Sequence, residues 1–413
     1  MRRPDLALAS QSSEIRLVDV RGGLGAVPDV RCAGVASGIK QRKRDLALID
    51  FGGERVCAAV ITTNDVKAAP LLVSNEHLEK DGDAIRAIVA NSGCANACTG
   101  ERGMQDARET AKRAAELLGV RSSQILIAST GVIGVPLPFD CIRTGLERAV
   151  QSLHAGSEAA LNAAEAIMTT DHVPKVEACA FYDNGAGQRH VVGGIAKGSG
   201  MIAPNMATML AFLATDATCS RESLQSALAE AVDDTFNMIS VDGDMSTNDC
   251  VYAVARPGTG EATPGLRSAL HRVCRELAFD MVKDGEGASK TMTVRVTGAR
   301  DVKQARAVAR AIINSSLVKS ALYGEDPNWG RIIAAAGSLG TGLREDAWSI
   351  SLGGHEWVAP GAKEVLTEAE AHSELEHKAI EIGLDLAMGD AEATGYGCDL
   401  TLEYVRINAH YRT

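Results

Sequence analysis

An α/β layered fold is what this sequence predicts, on three observations: helical patterns alternate with β-rich runs, the apolar residues are aliphatic rather than aromatic, and the chain outgrows one small core. Of 413 residues, 46% are apolar and only 4% aromatic, so the core must rest on Ala, Val, Ile and Leu. That length suits one large α/β unit or two coupled domains. The intermixing of element types argues against separate helical and sheet domains, and strand order is not readable from it.

In chain order, the β-rich runs predict strands at Val30 to Val35, Leu46 to Phe51, Val56 to Thr62, Ile85 to Ala90, Ile125 to Ser129, Ala178 to Tyr182, His190 to Ile195, Met209 to Thr215, Thr291 to Val296 and Leu400 to Val405. Apolar residues at three- and four-residue spacing predict helices at Asp106 to Leu118, Asp140 to Leu153, Arg221 to Asp234, Leu266 to Lys283 and Val302 to Asn314. The first of these is closed by Gly119, a residue that accepts the left-handed conformation at a helix end. Pro and Gly cluster between Arg256 and Thr263, which reads equally as a domain boundary or a surface loop.

Composition narrows the classes of function. The formal charge is −11 and no long basic run occurs, which disfavours nucleic acid or an anionic membrane as partner and favours a small molecule. Ten cysteines are scattered without a dense framework, as expected for reduced thiols. Cys94 and Cys98 are the close pair, but the segment Asn91 to Cys98 supplies no further metal ligands, so no metal is expected. The first thirteen residues lack the apolar stretch of a secretory signal, and Asp5 and Glu14 count against a transit peptide. A cytoplasmic protein with a flexible extension over residues 1–24 is the expectation.

Two glycine-rich runs, Gly22 to Gly25 and Gly198 to Gly200, fail to complete a dinucleotide fingerprint. Gly285 to Thr291 echoes a phosphate loop, but Ser289 stands where that motif needs glycine.

The most informative stretch is Lys197 to Asp216, in which a loop broken by Gly198, Gly200 and Pro204 precedes an apolar strand, with Thr208 at the junction. Taken alone, Thr208 is a β-branched residue at a strand start. A different chemistry is also open to it. Its hydroxyl can attack the Ala207 carbonyl, and the resulting ester, once hydrolysed, frees a new N-terminus. The α-amine so released, with an ordinary pKa of about 7.7–8.0, is a general base beside the hydroxyl.

This loop resembles the self-processing site of the glutamate N-acetyltransferase (ornithine acetyltransferase) family, and the similarity covers nearly the whole chain. Further segments resemble that family's in order: Ala33 to Lys40, Lys43 to Ile49, Asn91 to Gly93, Ser129 to Gly134, Val241 to Asp244, Ser246 to Asp249, Lys283 to Gly287, Gly324 to Arg331 and Asn408 to Thr413. Cys94 departs from the pattern, where Asn is common, and puts in doubt only the packing beside Asn91.

The resemblance implies a layered α-β-β-α fold shared with the Ser-nucleophile aminopeptidases. It implies self-cleavage between Ala207 and Thr208 into an alpha fragment, 1–207, and a beta fragment, 208–413, interwoven and assembled as a heterotetramer of two alpha and two beta. Thr208 would be the nucleophile, and Thr130 and Gly131 the oxyanion hole. Substrate contacts would fall at Thr169, Lys197, Thr208, Glu286, Asn408 and Thr413, although Thr170 directly after Thr169 leaves that match open to a slip of one. Lys197 could pair with a substrate carboxylate and Glu286 with a substrate ammonium.

The implied reaction moves acetyl from N2-acetyl-L-ornithine to L-glutamate through an acetyl-threonine ester, without a metal or redox cofactor. Acetyl-CoA is a further candidate donor. Two alternatives stand beside it: a self-cleaving amidase or aminopeptidase that uses water as acceptor, and an uncleaved binding homologue without activity.

Overall fold

Strand β3 (Leu46–Ile61) organises the architecture because it serves two half-sheets at once. Its first part faces two ways by simple alternation. Leu46 and Leu48 point to one core, and Ala47, Ile49 and Phe51 to another. The sequence reading split this stretch into two strands around Gly52 and Gly53. The structure instead keeps one strand through the glycines, with a register shift between Asp50 and Arg55 against its neighbour. The computed structural model describes residues 15–182, 187–203 and 209–410.

The other strands of this nine-stranded sheet are β1 (Arg16–Val20), β2 (Arg31–Val35), β4 (Ile85–Cys94), β5 (Ile125–Val132), β6 (Lys175–Tyr182), β7 (Arg189–Lys197), β8 (Leu210–Cys219) and β10 (Cys250–Pro257). Their order is β1-β6-β7-β8-β10-β3-β4-β5, with β2 also on β3. Pairs β8/β10 and β4/β5 are parallel, and the remaining neighbours are antiparallel.

The two halves of the sheet face each other across a shared core. Ile88, Ala90 and Leu126 from one half meet Ala180, Ile195, Phe212 and Tyr252 from the other. Helices close the outer faces. α2 (Gly100–Leu118) and α3 (Phe139–Gln151) cover the β2–β5 half, burying Ala107, Ala111, Ile142 and Leu146. α5 (Arg221–Asp234) and α6 (Pro264–Lys283) cover the other, burying Leu224, Leu228, Leu270, Val273 and Leu277. Each large aliphatic side chain buried at these interfaces contributes about 1.5–3 kcal/mol. The layering is α-β-β-α. Two helices of this unit that the sequence pattern does not predict, α1 (Ala69–Asp81) and α4 (Ser157–Ile167), pack against the shared core.

A second, seven-stranded sheet contains β9 (Ile239–Ser240), β11 (Thr291–Ala299), β12 (Ser349–Leu352), β13 (His355–Ala359), β14 (Lys363–Glu364), β15 (Ala379–Asp385) and β16 (Ala391–Cys398), in the order β14-β13-β12-β15-β11-β16-β9. It is covered by α7 (Val302–Asn314), α8 (Ser316–Gly324), α9 (Trp329–Gly337) and α10 (Glu368–Leu375), of which α8, α9 and α10 are likewise not predicted by the sequence pattern. The join to the first unit runs through α6, where the Phe279 ring meets Tyr396 edge-on at 5.7 Å. Residues 258–263, one reading of which was a domain boundary, form the loop from β10 to α6.

Two further expectations differ from the structure. The extension expected over 1–24 is structured from Arg16 onward, because β1 pairs along the edge of β6 and Leu24 is fully buried in the shared core. The strand expected at Leu400 to Val405 is instead the start of helix α11 (Leu402–His410). The Thr401 hydroxyl accepts hydrogen bonds from the backbone N–H groups of Glu403 and Tyr404, which satisfies first-turn donors that a strand would have needed to pair elsewhere. Leu402 and Val405 lie exposed, so the apolar residues here mark no buried face.

Candidate active site

Parallel strands β4 and β5 end side by side, and their ends build one wall of a cleft. Thr130 is buried, and Gly131 adopts φ 125°, a left-handed conformation open to glycine. Any Cβ on Gly131 would come within 2.5 Å of the Gly93 carbonyl carbon, so the two strand ends approach this closely only because position 131 is glycine. The turn is held from behind. The Asn248 amide donates to Ala95 O at 2.7 Å and Ser129 O at 2.8 Å, while Ser129 Oγ donates to Asn91 Oδ1 at 2.6 Å.

The opposite wall starts at the end of β7, where Lys197 is fully buried. Burial pushes its ammonium pKa down, and the neighbouring Asp171 carboxylate works against that shift. Asp171 is itself tightly held. It accepts from Lys175 Nζ at 2.7 Å, from Gly198 N at 2.7 Å and from Thr169 N at 3.0 Å. Burial alone would raise its pKa, but Lys197 and Lys175 together hold the carboxyl well below the usual carboxylate range. Lys175 reaches Asp284 as well, also at 2.7 Å, so a buried Asp171–Lys175–Asp284 chain of charges sits beneath the cleft.

Across the β7/β8 ladder Lys197 pairs with Leu210. The preceding Met209 is buried and donates its backbone N–H to Asp249 Oδ1 at 2.8 Å. Asp249 is fully buried, and desolvation raises its pKa well above the ordinary value, which favours the neutral acid.

The last part comes from the loop after α6 and from α11. Glu286 accepts from Asn408 Nδ2 at 2.8 Å, and Thr401 Oγ1 donates to Gly287 O at 2.7 Å, which ties the C-terminal helix to this loop. Gly200 lies against Glu286 so closely that a Cβ would sit 2.4–2.5 Å from the carboxyl group. Tyr404 donates its hydroxyl to Asp242 Oδ2 at 3.3 Å, and Asp242 also accepts from the N–H groups of Met201 and Ile202.

These walls enclose a cavity of about 420 Å³. Thr130, Gly131, Thr169, Lys197, Glu286 and Asn408 all line it, which brings together every sequence-selected site residue that is described. Thr170 lines it beside Thr169, so both readings of that match stay open. Ala207, Thr208 and Thr413 lie outside the described residues. Lys40, Asp242, Asn248 and Tyr404 are cavity residues to which the sequence reading assigned no role. The first three fall inside or beside segments it singled out, whereas Tyr404 was placed in a strand and carried no signal. All ten cysteines are unpaired, and Cys94 donates its thiol to Val135 O.

A family model described as the ArgJ family matches residues 31–413. The chain is 46% identical over 406 residues to the arginine biosynthesis bifunctional protein ArgJ of Symbiobacterium thermophilum, covering 95% of this chain and 99% of that protein. It is 46% identical over 406 residues to a glutamate N-acetyltransferase of Methanothermobacter thermautotrophicus, covering 95% of this chain and 98% of that one. A solved chain of an ornithine acetyltransferase complexed with ornithine, from Mycobacterium tuberculosis, is 38% identical with a TM-score of 0.41, covering 46% of this chain and 98% of that chain. By class, then, the protein is an acyltransferase enzyme. It belongs to the ArgJ family.

Proposed function

We propose that the protein transfers acetyl from N2-acetyl-L-ornithine to L-glutamate in arginine biosynthesis, with Thr208 as nucleophile after cleavage of the Ala207–Thr208 bond. The observation that carries this reading is the convergence of Thr130, Gly131, Thr169, Lys197, Glu286 and Asn408 on one cavity, from segments that span the chain. The Thr208 amine takes the hydroxyl proton, the oxygen attacks the acetyl carbonyl, and the Thr130 hydroxyl and Gly131 N–H receive the oxyanion. The bond to N2 of ornithine breaks, with the proton passing to the leaving amine. Glutamate's α-amine then attacks the acetyl ester, forming N-acetylglutamate and restoring the hydroxyl.

Lys197 takes the α-carboxylate common to both substrates and Glu286 the side-chain ammonium of ornithine. Asn408 holds Glu286 in place, and Thr169 and Thr413 complete the contacts. No metal or redox group enters the scheme, and acetyl-CoA is a second donor to be supplied in the same assay. Assembly as two alpha and two beta fragments in the cytoplasm belongs to the same reading. Among the described residues no helix is long and apolar enough to cross a membrane.

Intact-mass analysis tests the proposal. The purified protein should give fragments 1–207 and 208–413, and N2-acetylornithine should add one acetyl group to the second. Thr208→Ala should remain a single chain and gain none. Glutamate-independent release of acetate at the rate of transfer would point instead to a hydrolase.

A further inference from the structure

Resting on that reaction, the two substrates pose a charge problem for one cavity. In both, the nitrogen at the reacting centre and the α-carboxylate are the same. The side chains differ in sign: ornithine ends in an ammonium and glutamate in a carboxylate, each with its terminal heteroatom four atoms from Cα. A single subsite must therefore offer an anion and a cation at similar reach. Glu286 supplies the anion, and the cation has no assigned residue.

We propose that Lys40 is the specificity-determining residue for the acceptor, its ammonium receiving the side-chain carboxylate of glutamate. Three lysines line the cavity: Lys40, Lys43 and Lys197. Lys197 is fully buried beside Asp171, Asp249 and Glu286, where it suits the carboxylate that both substrates share. Lys43 is exposed at the mouth. Lys40 is half-buried and fixed.

The fixing is built into the loop between β2 and β3. The fully buried Asp45 carboxylate accepts from the backbone N–H groups of Ser37, of Gly38 at 3.1 Å and of Lys40 at 2.8 Å, which sets the turn. The Lys40 side chain then runs past Gly93, where a Cβ would come within 3.0 Å of its Cγ. At its end Nζ donates to Met168 O at 2.8 Å. An ammonium carries three donors, so this anchor leaves capacity for a ligand. Met168 directly precedes Thr169, so the anchored ammonium lies beside the predicted substrate contacts. Burial lowers its pKa to about 8; Asp45 and Asp171 act against the shift, and Lys43 and Lys197 add to it. A poorly hydrated ammonium gains more from an arriving carboxylate than one in open water does.

The ping-pong scheme lets each substrate be examined separately. In Lys40→Met, the acetyl gain from N2-acetylornithine should not be slowed, because that substrate has no side-chain carboxylate to lose a partner and its ammonium gains nothing from a neighbouring cation. Discharge of the acetyl-enzyme by L-glutamate should show a KM raised roughly 10- to 100-fold, the range for one charge-assisted hydrogen bond. Discharge by L-glutamine, an uncharged acceptor of the same shape, should hardly change, and Lys40→Arg should recover part of the preference for glutamate. If Lys40→Met does not fold, Lys40→Gln keeps a donor for Met168 O and carries the same comparison. Equal losses in both half-reactions, or an unchanged KM for glutamate, would overturn the assignment. A wild-type protein that takes no acetyl group would remove the transfer reaction itself and the subsite with it, an outcome distinct from normal acetyl gain with no effect of Lys40.

Discussion

The backbone N–H of Met209 is bonded to Asp249 at 2.8 Å, so the residue directly after Thr208 is held by a fully buried carboxyl group. Asp249→Asn keeps an acceptor oxygen without a charge, matching the neutral acid that burial favours, and should preserve cleavage and melting temperature. Asp249→Ala leaves the Met209 donor buried and unpaired, a loss of about 1–3 kcal/mol. Its fragment pattern on a denaturing gel should show slowed processing. Equal behaviour of the two variants would remove the role given to this bond.

Thr130→Val removes a hydroxyl while keeping the side-chain shape. Its acetylation rate should fall about 10²–10³-fold, the usual loss for one oxyanion donor, with little change in substrate affinity. Rapid-quench mass measurements on the first half-reaction would check both quantities. A rise in KM alone would make Thr130 a binding residue.

Gly200→Ala forces a methyl group against Glu286 and should push the carboxylate out of place. Loss of the bond proposed between Glu286 and ornithine's ammonium would raise the KM for N2-acetylornithine about tenfold. The glutamate half-reaction should suffer less, which stopped-flow discharge of the acetyl-enzyme can read.

Asp171 makes stability depend on acid. Its pKa is depressed in the folded protein, so it contributes stability in full above its unfolded value of about 3.9, and the contribution fades as pH falls toward the folded value. Urea unfolding from pH 7 down to about 3 should show wild-type stability declining with pH below about 4. In Asp171→Asn this part of the decline should be missing.

Legibility in the sequence followed physical contrast. Helices α5 and α7 were found at their observed bounds because each has one apolar and one polar face. The alanine-rich α4 also has one buried face, with Ala159, Ala160, Ala163 and Ala164 inside and Ser157, Glu158 and Leu161 outside, but alanine is a weak marker of burial and the pattern is easily overlooked. Strand β15 did carry alternation, with Ile380, Ile382 and Leu384 buried between more exposed neighbours, and was overlooked. Site residues are legible through the family resemblance alone, most of them inside its ordered segments and Thr169 outside them. Lys175 and Asp284 lie 109 positions apart and were brought together by folding alone, so no local spacing could have joined them.

Strands β8 and β10 lie between β7 and β3 in the first sheet, so two strands that follow residue 208 separate strands that precede it. A cut at that point converts an intramolecular folding problem into an association. Folding of each uncut Thr208→Ala chain, up to the step at which two chains pair, should proceed at a rate independent of protein concentration. Recovery of the cut protein from denaturant should be second order and fail on dilution, so processing would make the native state far easier to keep than to regain.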